Sequence, residues 1–215
     1  MAPESERTTI LLTRHGECRG NVEGLFRGRT DFPLNENGLR QAAELAGAIR
    51  SFAPEAIYTS PLTRARQTAQ AIAEASPAPV IVDEGFNNTC LGIWEGRPKT
   101  AIARECPKEW EIWLTKPEEL RVEGAETMDD VLRRSLSSLD SVVSRHRGRT
   151  VAVVTHRTVL KPLLAGCLGI RSPYFWKIHM DTASYSVLLF DDLHGYSLFA
   201  LNVTAHLTSC VTEWV

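Results

Sequence analysis

The chain has 215 residues, 43% of them hydrophobic, and a formal net charge of −2. That length supports one sizeable core, with roughly 70% of the unfolded chain's surface buried on folding. The near-neutral charge argues against nucleic acid or an acidic membrane as partner, and the lack of any apolar run of about 18 residues excludes a spanning helix.

Cys18, Cys90, Cys106, Cys167 and Cys210 are odd in number, widely spread and lack a C-x-x-C pair. They predict neither a disulfide framework nor a zinc site, and they fit a reducing, cytoplasmic compartment. Residues 1–9 carry Glu4, Glu6 and Arg7 where a secretory signal would have a basic start and an apolar run, so no such signal is expected.

The first predicted element is the buried strand Ile10-Leu11-Leu12-Thr13, which ends abruptly in Arg14, His15, Gly16 and Glu17. Gly16 lets the chain turn sharply and bring backbone N–H groups close to a ligand. Arg14 and His15 stand at a strand's C-terminal end, the edge where open α/β sheets bind ligands. A cation beside a nucleophile there points to an anionic substrate, the alternative being a surface pair after an ordinary strand. The loop 18–37 holds Arg19, Arg27 and Arg29 among Gly20, Gly24 and Gly28, with Asn21 as a polar contact; it either lines the anion site or is simply solvated.

Residues 39–52 have apolar groups at helical spacing. Residues 56–60 read as a second strand, and Ser60-Pro61 has the order of an N-cap followed by a first helical residue. A helix over 62–75 then carries Arg64 in its first turn, where N–H groups and the macrodipole favour anions. Residues 80–83 are a third strand. Residues 99–114 are partly helical around Pro107, with Trp110 and Trp113 read as packing. Thr127 and Asp130 form a capping box for a long helix with the stripe Leu132, Leu136, Leu139 and Val143, stopped by Gly148. A fourth strand, 151–155, ends in His156, and Pro162 predicts a late start or a bend in the helix 158–168. Residues 185–190 and 196–202 form a hairpin at one edge. Residues 204–215 are read as a tail.

Alternating strands and helices imply right-handed crossovers and a mainly parallel central sheet covered on both faces, a three-layer α/β/α sandwich. One domain is expected over 1–215, with a core at about 9–205 and tails at 1–8 and 206–215. Parallel strands share one C-terminal edge, so Arg14, His15, Arg64 and His156 converge on one site. Two arginines and two histidines around one point call for an anion, and phosphate suits the arginine fork. Attack by a neutral His15 on phosphorus would give a phosphohistidine, with Arg14, Arg64 and a protonated His156 stabilising the equatorial oxygens.

The run Leu12-Thr13-Arg14-His15-Gly16-Glu17 with Asn21 resembles the signature of the histidine phosphatase superfamily, the phosphoglycerate-mutase-like group. Gly28, Asp31, Pro33-Leu34 and Gly38 fit the same pattern, as do Thr59-Ser60-Pro61-Leu62-Thr63-Arg64-Ala65-Arg66-Gln67-Thr68-Ala69, Gly92-Ile93-Trp94-Glu95-Gly96, Gly124-Ala125-Glu126-Thr127 and Val154-Thr155-His156. The resemblance implies a three-layer α/β fold, His15 as nucleophile and Arg14, Arg64 and His156 as the phosphate pocket, with Asn21 as a further phosphate contact. No metal or cofactor is implied. Hydrolysis of a small phosphorylated metabolite is the first expectation, a phosphoglycerate-type mutase the second and a weakly active phospholigand binder the third.

Two positions depart from the family. Asn88 stands where relatives usually carry the glutamate that protonates the leaving group, and an amide cannot titrate. General acid catalysis is typically a factor of about 10² to 10⁴. Glu84, Glu95 or Glu17 is expected to substitute first; next, the substrate is an aryl, enol or acyl phosphate; last, turnover is poor. Arg157 follows His156 where relatives have a small residue, and it either recognises a second negative group or lies outward. Arg27, Arg29, Arg97 and Lys99 also hint at extra negative charge on the substrate. Cys18 and Cys90 are read as inert thiols, and His179 is the one further histidine placed near the pocket rim.

Overall fold

A computed structural model describes residues 7–209, so Cys210 and the remainder of the predicted tail lie outside the described residues. Strands β1 (Thr8–Arg14), β2 (Ala56–Thr59), β3 (Val80–Val82), β4 (Thr150–Thr155), β5 (Tyr185–Asp191) and β6 (Gly195–Val203) form one sheet in the order β3-β2-β4-β1-β5-β6. The first four are joined by parallel pairings. β5 pairs antiparallel with β1, and β6 antiparallel with β5, which puts the predicted hairpin at one edge.

Helices α1 (Arg19–Val22), α2 (Glu36–Ile49), α3 (Thr63–Ala75), α4 (Lys99–Glu105), α5 (Pro107–Thr115), α6 (Met128–Arg145) and α7 (Arg157–Cys167) complete the elements. Side chains alternate across a strand. Leu11, Ile57, Ala152 and Val154 therefore pack on one face against Leu45, Ile49, Ala65 and Ile72 of α2 and α3. Ile10, Leu12, Tyr58, Val151 and Val153 face the other way, onto Trp113, Leu139, Val142, Leu160 and Leu163 of α5, α6 and α7. Two apolar layers flank one sheet, as a doubly covered parallel sheet requires.

Local chemistry moved several boundaries. α2 starts three residues before the expected position because the Asn35 side chain accepts the Gly38 N–H at 2.8 Å and caps it. α3 is not capped by Ser60. Its N-cap is Leu62, and Asp31 takes the Thr63 N–H at 2.8 Å and the Thr63 hydroxyl at 2.6 Å. Pro107 divides the 99–114 stretch into α4 and α5 by occupying the first position of the second helix, where its missing N–H is harmless. The capping box of Thr127 and Asp130 forms as expected, but the buried line of α6 is Val131, Ser135, Leu139, Val142 and Val143. Leu132 and Leu136 are half-buried on its flank. α7 does not start late: it begins at Arg157 and runs through Pro162 to Cys167.

One close approach explains a motif. A Cβ on Gly38 would lie 1.9 Å from the Glu17 carbonyl oxygen, and one on Gly16 would lie 2.5 Å from the Gly38 carbonyl oxygen. The loop leaving β1 and the start of α2 thus touch backbone to backbone, which only glycine permits. Gly47, in contrast, is helical with open space around it. Urea denaturation should show Gly38→Ala destabilising by about 2–3 kcal/mol through forced backbone displacement, and Gly47→Ala stabilising by about 0.5–1 kcal/mol through helix propensity.

Candidate active site

Strand register builds the site. Arg14 lies opposite Thr155 in the β1·β4 pairing, and the His15 amide donates to the Thr155 carbonyl at 3.1 Å. His15 and His156 are therefore level, one residue past adjacent parallel strands, with ring centroids 5.0 Å apart. In the same register the Ser60 amide donates to the Val154 carbonyl at 3.0 Å. β2 therefore ends one residue short of that line, with Ser60 level with Thr155 and its Oγ 2.8 Å from His156 Nε2. Gly16 holds the turn: its N–H donates to Thr68 Oγ1 of α3 at 3.1 Å.

His15 is fixed as one tautomer. Its Nδ1 lies 2.6 Å from the Gly16 carbonyl oxygen, which can only accept, so Nδ1 carries the proton and Nε2 keeps its lone pair. Arg14 and Arg64 are both fully buried. Arg14 Nη1 donates to the Met180 carbonyl at 2.6 Å. Arg64 donates through Nη1 to Thr30 O and through Nη2 to Gly28 O, each at 2.9 Å. Arg64 Nε and His156 Nδ1 are buried with no hydrogen-bond partner among the described residues, the signature of groups that await an acceptor.

His15 and His156 line a cleft together with Arg27, Asn88 and Arg157. Five of the eight predicted site residues thus share its wall, and Arg14 and Arg64 are close enough to lower both imidazoles electrostatically. Asn21 is not on the described lining. Its Oδ1 accepts from the Cys18 N–H at 3.0 Å and the Cys18 thiol at 3.0 Å, so only its amide nitrogen has the polarity to meet an anion. His179 is likewise absent from the lining.

The chain matches the model of the histidine phosphatase superfamily (branch 1) over residues 10–203. It is 32% identical to phosphoserine phosphatase 1 of Hydrogenobacter thermophilus across 95% of this chain and 96% of that protein. The solved structure of Bacillus stearothermophilus YhfR superposes with a TM-score of 0.88 at 31% identity, covering 93% of this chain and 99% of that one. Mycobacterial glucosyl-3-phosphoglycerate phosphatase, solved with VO3, gives 0.83 at 26% identity, covering 91% and 99%. The chain belongs to the histidine phosphatase superfamily. It is a phosphomonoesterase.

Within this phosphatase the two departures have definite places. Asn88 donates through Nδ2 to the Gly28 carbonyl at 2.6 Å, while its Oδ1 accepts from Thr158 Oγ1 at 2.8 Å and the Thr89 N–H at 3.0 Å. The amide ties the arginine-bearing loop to the start of α7. None of the three candidate substitutes is among the described lining residues. Glu17 accepts from Asn35 Nδ2 at 2.7 Å, Glu84 from Asn87 Nδ2 at 3.0 Å, and Glu95 from the Arg29 and Leu91 amides at 3.1 and 3.0 Å. Arg157 does not lie outward; it is buried on the cleft wall. Arg97 and Arg29 pair with Glu105 and Glu126, whereas Lys99 lines the cleft. Trp113, read as packing, both packs in the core and lines the cleft.

Sequence reasoning missed the framework behind Asn88. Arg134 of α6 donates to the carbonyls of Gly85, Asn87 and Asn88 at 2.8, 2.7 and 3.1 Å and pairs with Glu126 at 2.8 Å. Nothing in the spacing of α6 marks Arg134. Ser60 was findable: it follows β2 as His156 follows β4.

Electrostatics follow from burial. Desolvation, then the Arg64 charge, holds His15 and His156 well below the ordinary 6.5, so both are neutral at pH 7. Burial also lowers Arg64 to about 10, still cationic. Below pH 6.5 the unfolded chain binds protons that the folded imidazoles refuse, so stability falls as pH drops through that point. Glu126, held below its ordinary 4.5 by Arg134 and the Cys90 amide despite burial, acts with the same sign in a lower window. Melting temperature in phosphate-free buffer should therefore decline between about pH 6.5 and 5, before carboxylates titrate. Scanning calorimetry should show a shallower decline for His156→Gln, and a shallower decline for the wild-type protein in millimolar inorganic phosphate.

Proposed function

We propose that this phosphatase hydrolyses a small phosphorylated metabolite in the cytoplasm through a phosphohistidine on His15. The observation that carries this reading is the 2.6 Å contact of His15 Nδ1 with the Gly16 carbonyl, which aims an unprotonated Nε2 away from its own backbone in a cationic cleft. Nε2 forms a bond to phosphorus as the ester P–O bond breaks, and the electron pair leaves with the ester oxygen. Water then forms a new P–O bond while the N–P bond breaks, regenerating neutral His15 and releasing phosphate and a proton. Arg14 and Arg64 spread their charge over the transferring oxygens, and Arg27 and Asn21 add donors nearby. Burial is the main cause that holds His156 neutral, and a bound dianion offsets the smaller share that comes from the arginine charges. The phosphatase names of the relatives favour hydrolysis over the mutase alternative.

Asn88 decides the leaving group. Its Nδ2 is engaged with Gly28 O, it has no transferable proton, and no carboxylate is among the described lining residues. An aryl, enol or acyl phosphate, whose oxygen departs as an anion, needs no acid; an alkyl phosphate such as the phosphoserine of the Hydrogenobacter relative's name needs one.

Rapid quench with labelled phenyl phosphate should trap an acid-labile phosphoryl group on the wild-type protein. His15→Ala should trap none and lose about 10⁴-fold or more in kcat; label retained in that variant refutes the assignment. Asn88→Glu should raise kcat on glycerol phosphate at least about tenfold more than on p-nitrophenyl phosphate. An equal change on both substrates would mean that proton supply is not what Asn88 removes.

A further inference from the structure

We propose that Asn202 and His206 are positioning residues for the phosphate site: they clamp the strap 180–184, which in turn holds Arg14 and His15. This rests on the phosphohistidine reading above. The strap meets the end of β1 at three points. Arg14 Nη1 donates to the Met180 carbonyl at 2.6 Å, the Arg14 amide to the Ser184 carbonyl at 3.1 Å, and the Ala183 amide to the His15 carbonyl at 3.1 Å. Every residue from Met180 to Ser184 is buried, and the backbone passes through a φ of +52° at Ala183. An alanine keeps that left-handed conformation only where its surroundings impose it.

Two side chains from the end of β6 and just beyond it hold the same strap. Asn202 stands where β5 and β6 shift register, at a φ of +49°, with its N–H donating to Ser186 Oγ at 3.0 Å. A bulge of this kind re-aims a side chain. Asn202 Oδ1 accepts the Asp181 N–H at 2.7 Å while its Nδ2 donates to Asp181 Oδ2 at 2.8 Å. An amide fills both roles at once, an acceptor for an N–H beside a donor for a carboxylate. Four residues on, in the stretch the sequence reads as a tail, His206 Nε2 lies 3.0 Å from the Ala183 carbonyl. A carbonyl can only accept, so Nε2 carries the proton and donates. Neither Asn202 nor His206 is among the described residues lining the cleft, so both act through the strap.

An exchange of partners tests the clamp. Asn202→Asp keeps the acceptor and tolerates the left-handed backbone, but sets a carboxylate against that of Asp181. Adding Asp181→Asn restores the pair with donor and acceptor exchanged. Misplacing a substrate-positioning group by about 1 Å can cost about 10²-fold. With p-nitrophenyl phosphate as substrate and inorganic phosphate as competing ligand, Asn202→Asp should raise KM and the phosphate inhibition constant each by about tenfold. The double variant should bring both back to within about threefold of wild type. Lost stability alone would lower the folded fraction, and with it kcat, leaving both constants unchanged. His206→Phe should raise the same two constants, and His206→Gln, which keeps a donor, should recover part of the change; this pair decides if Asn202→Asp fails to fold. Constants within about twofold of wild type in the folded single variants, or no recovery in the double variant, overturn the clamp while His15-dependent turnover leaves the phosphatase reading intact. Turnover undiminished in His15→Ala overturns both.

Discussion

The structure depends on one constraint: three parallel strands, β2, β4 and β1, end within one residue of one another. The β1·β4 and β2·β4 registers put His15, His156 and Ser60 one residue past their strands on a common edge. Sheet hydrogen bonds hold that alignment to within a residue, because a slip of one would reverse every side chain between the two apolar layers. Ile10 and Leu12 would exchange faces with Leu11, and the packing of Leu45 and Ile49 on one side and Leu160 and Leu163 on the other would be lost. The site is thus as rigid as the core. Placing the two histidines at strand ends rather than on loop tips brings their imidazoles to a 5.0 Å ring separation.

That rigidity carries an electrostatic cost. Arg14 and Arg64 are fully buried; Arg14 donates to the Met180 carbonyl, and Arg64 to those of Thr30 and Gly28. Carbonyl dipoles orient a guanidinium without cancelling its charge, so the field of both cations falls on the histidines. Asp31 shows the same economy: its carboxylate caps α3 through Thr63, next to Arg64 in sequence, and does not close an ion pair with it.

The legible parts of the molecule were those governed by period and by strand ends. Short apolar runs ending in Arg14-His15 and His156 announced both the layers and the edge where they meet. Legibility stopped where a side chain acts from another element. Asn35 and Asp31 cap helices from outside the expected start, which moved α2 and removed Ser60 from its predicted role. The half-buried flank of α6 was misplaced because Ser135, a polar residue, occupies a buried position and donates to the Val131 carbonyl at 2.7 Å. Glu17, Glu84 and Glu95 were plausible acids by proximity in sequence, yet each is taken by a local donor. Proximity along the chain says little about direction into a cleft.

Asn88 illustrates how a lost titratable group can be compensated structurally without being replaced chemically. A carboxylate there, if ionised, would face the Gly28 carbonyl oxygen across a distance that an amide N–H fills at 2.6 Å, setting two acceptors against each other. The amide reverses that local polarity. Its oxygen takes the Thr158 hydroxyl and its nitrogen takes the loop, so the Arg27–Gly28 backbone, the 84–96 loop and α7 become one hydrogen-bonded unit. Arg134 completes it by closing on the carbonyls of residues 85, 87 and 88. Gly28 is thereby shared: its carbonyl accepts from both Arg64 and Asn88. The amide at position 88 therefore tightens the loop whose Gly28 carbonyl also holds Arg64.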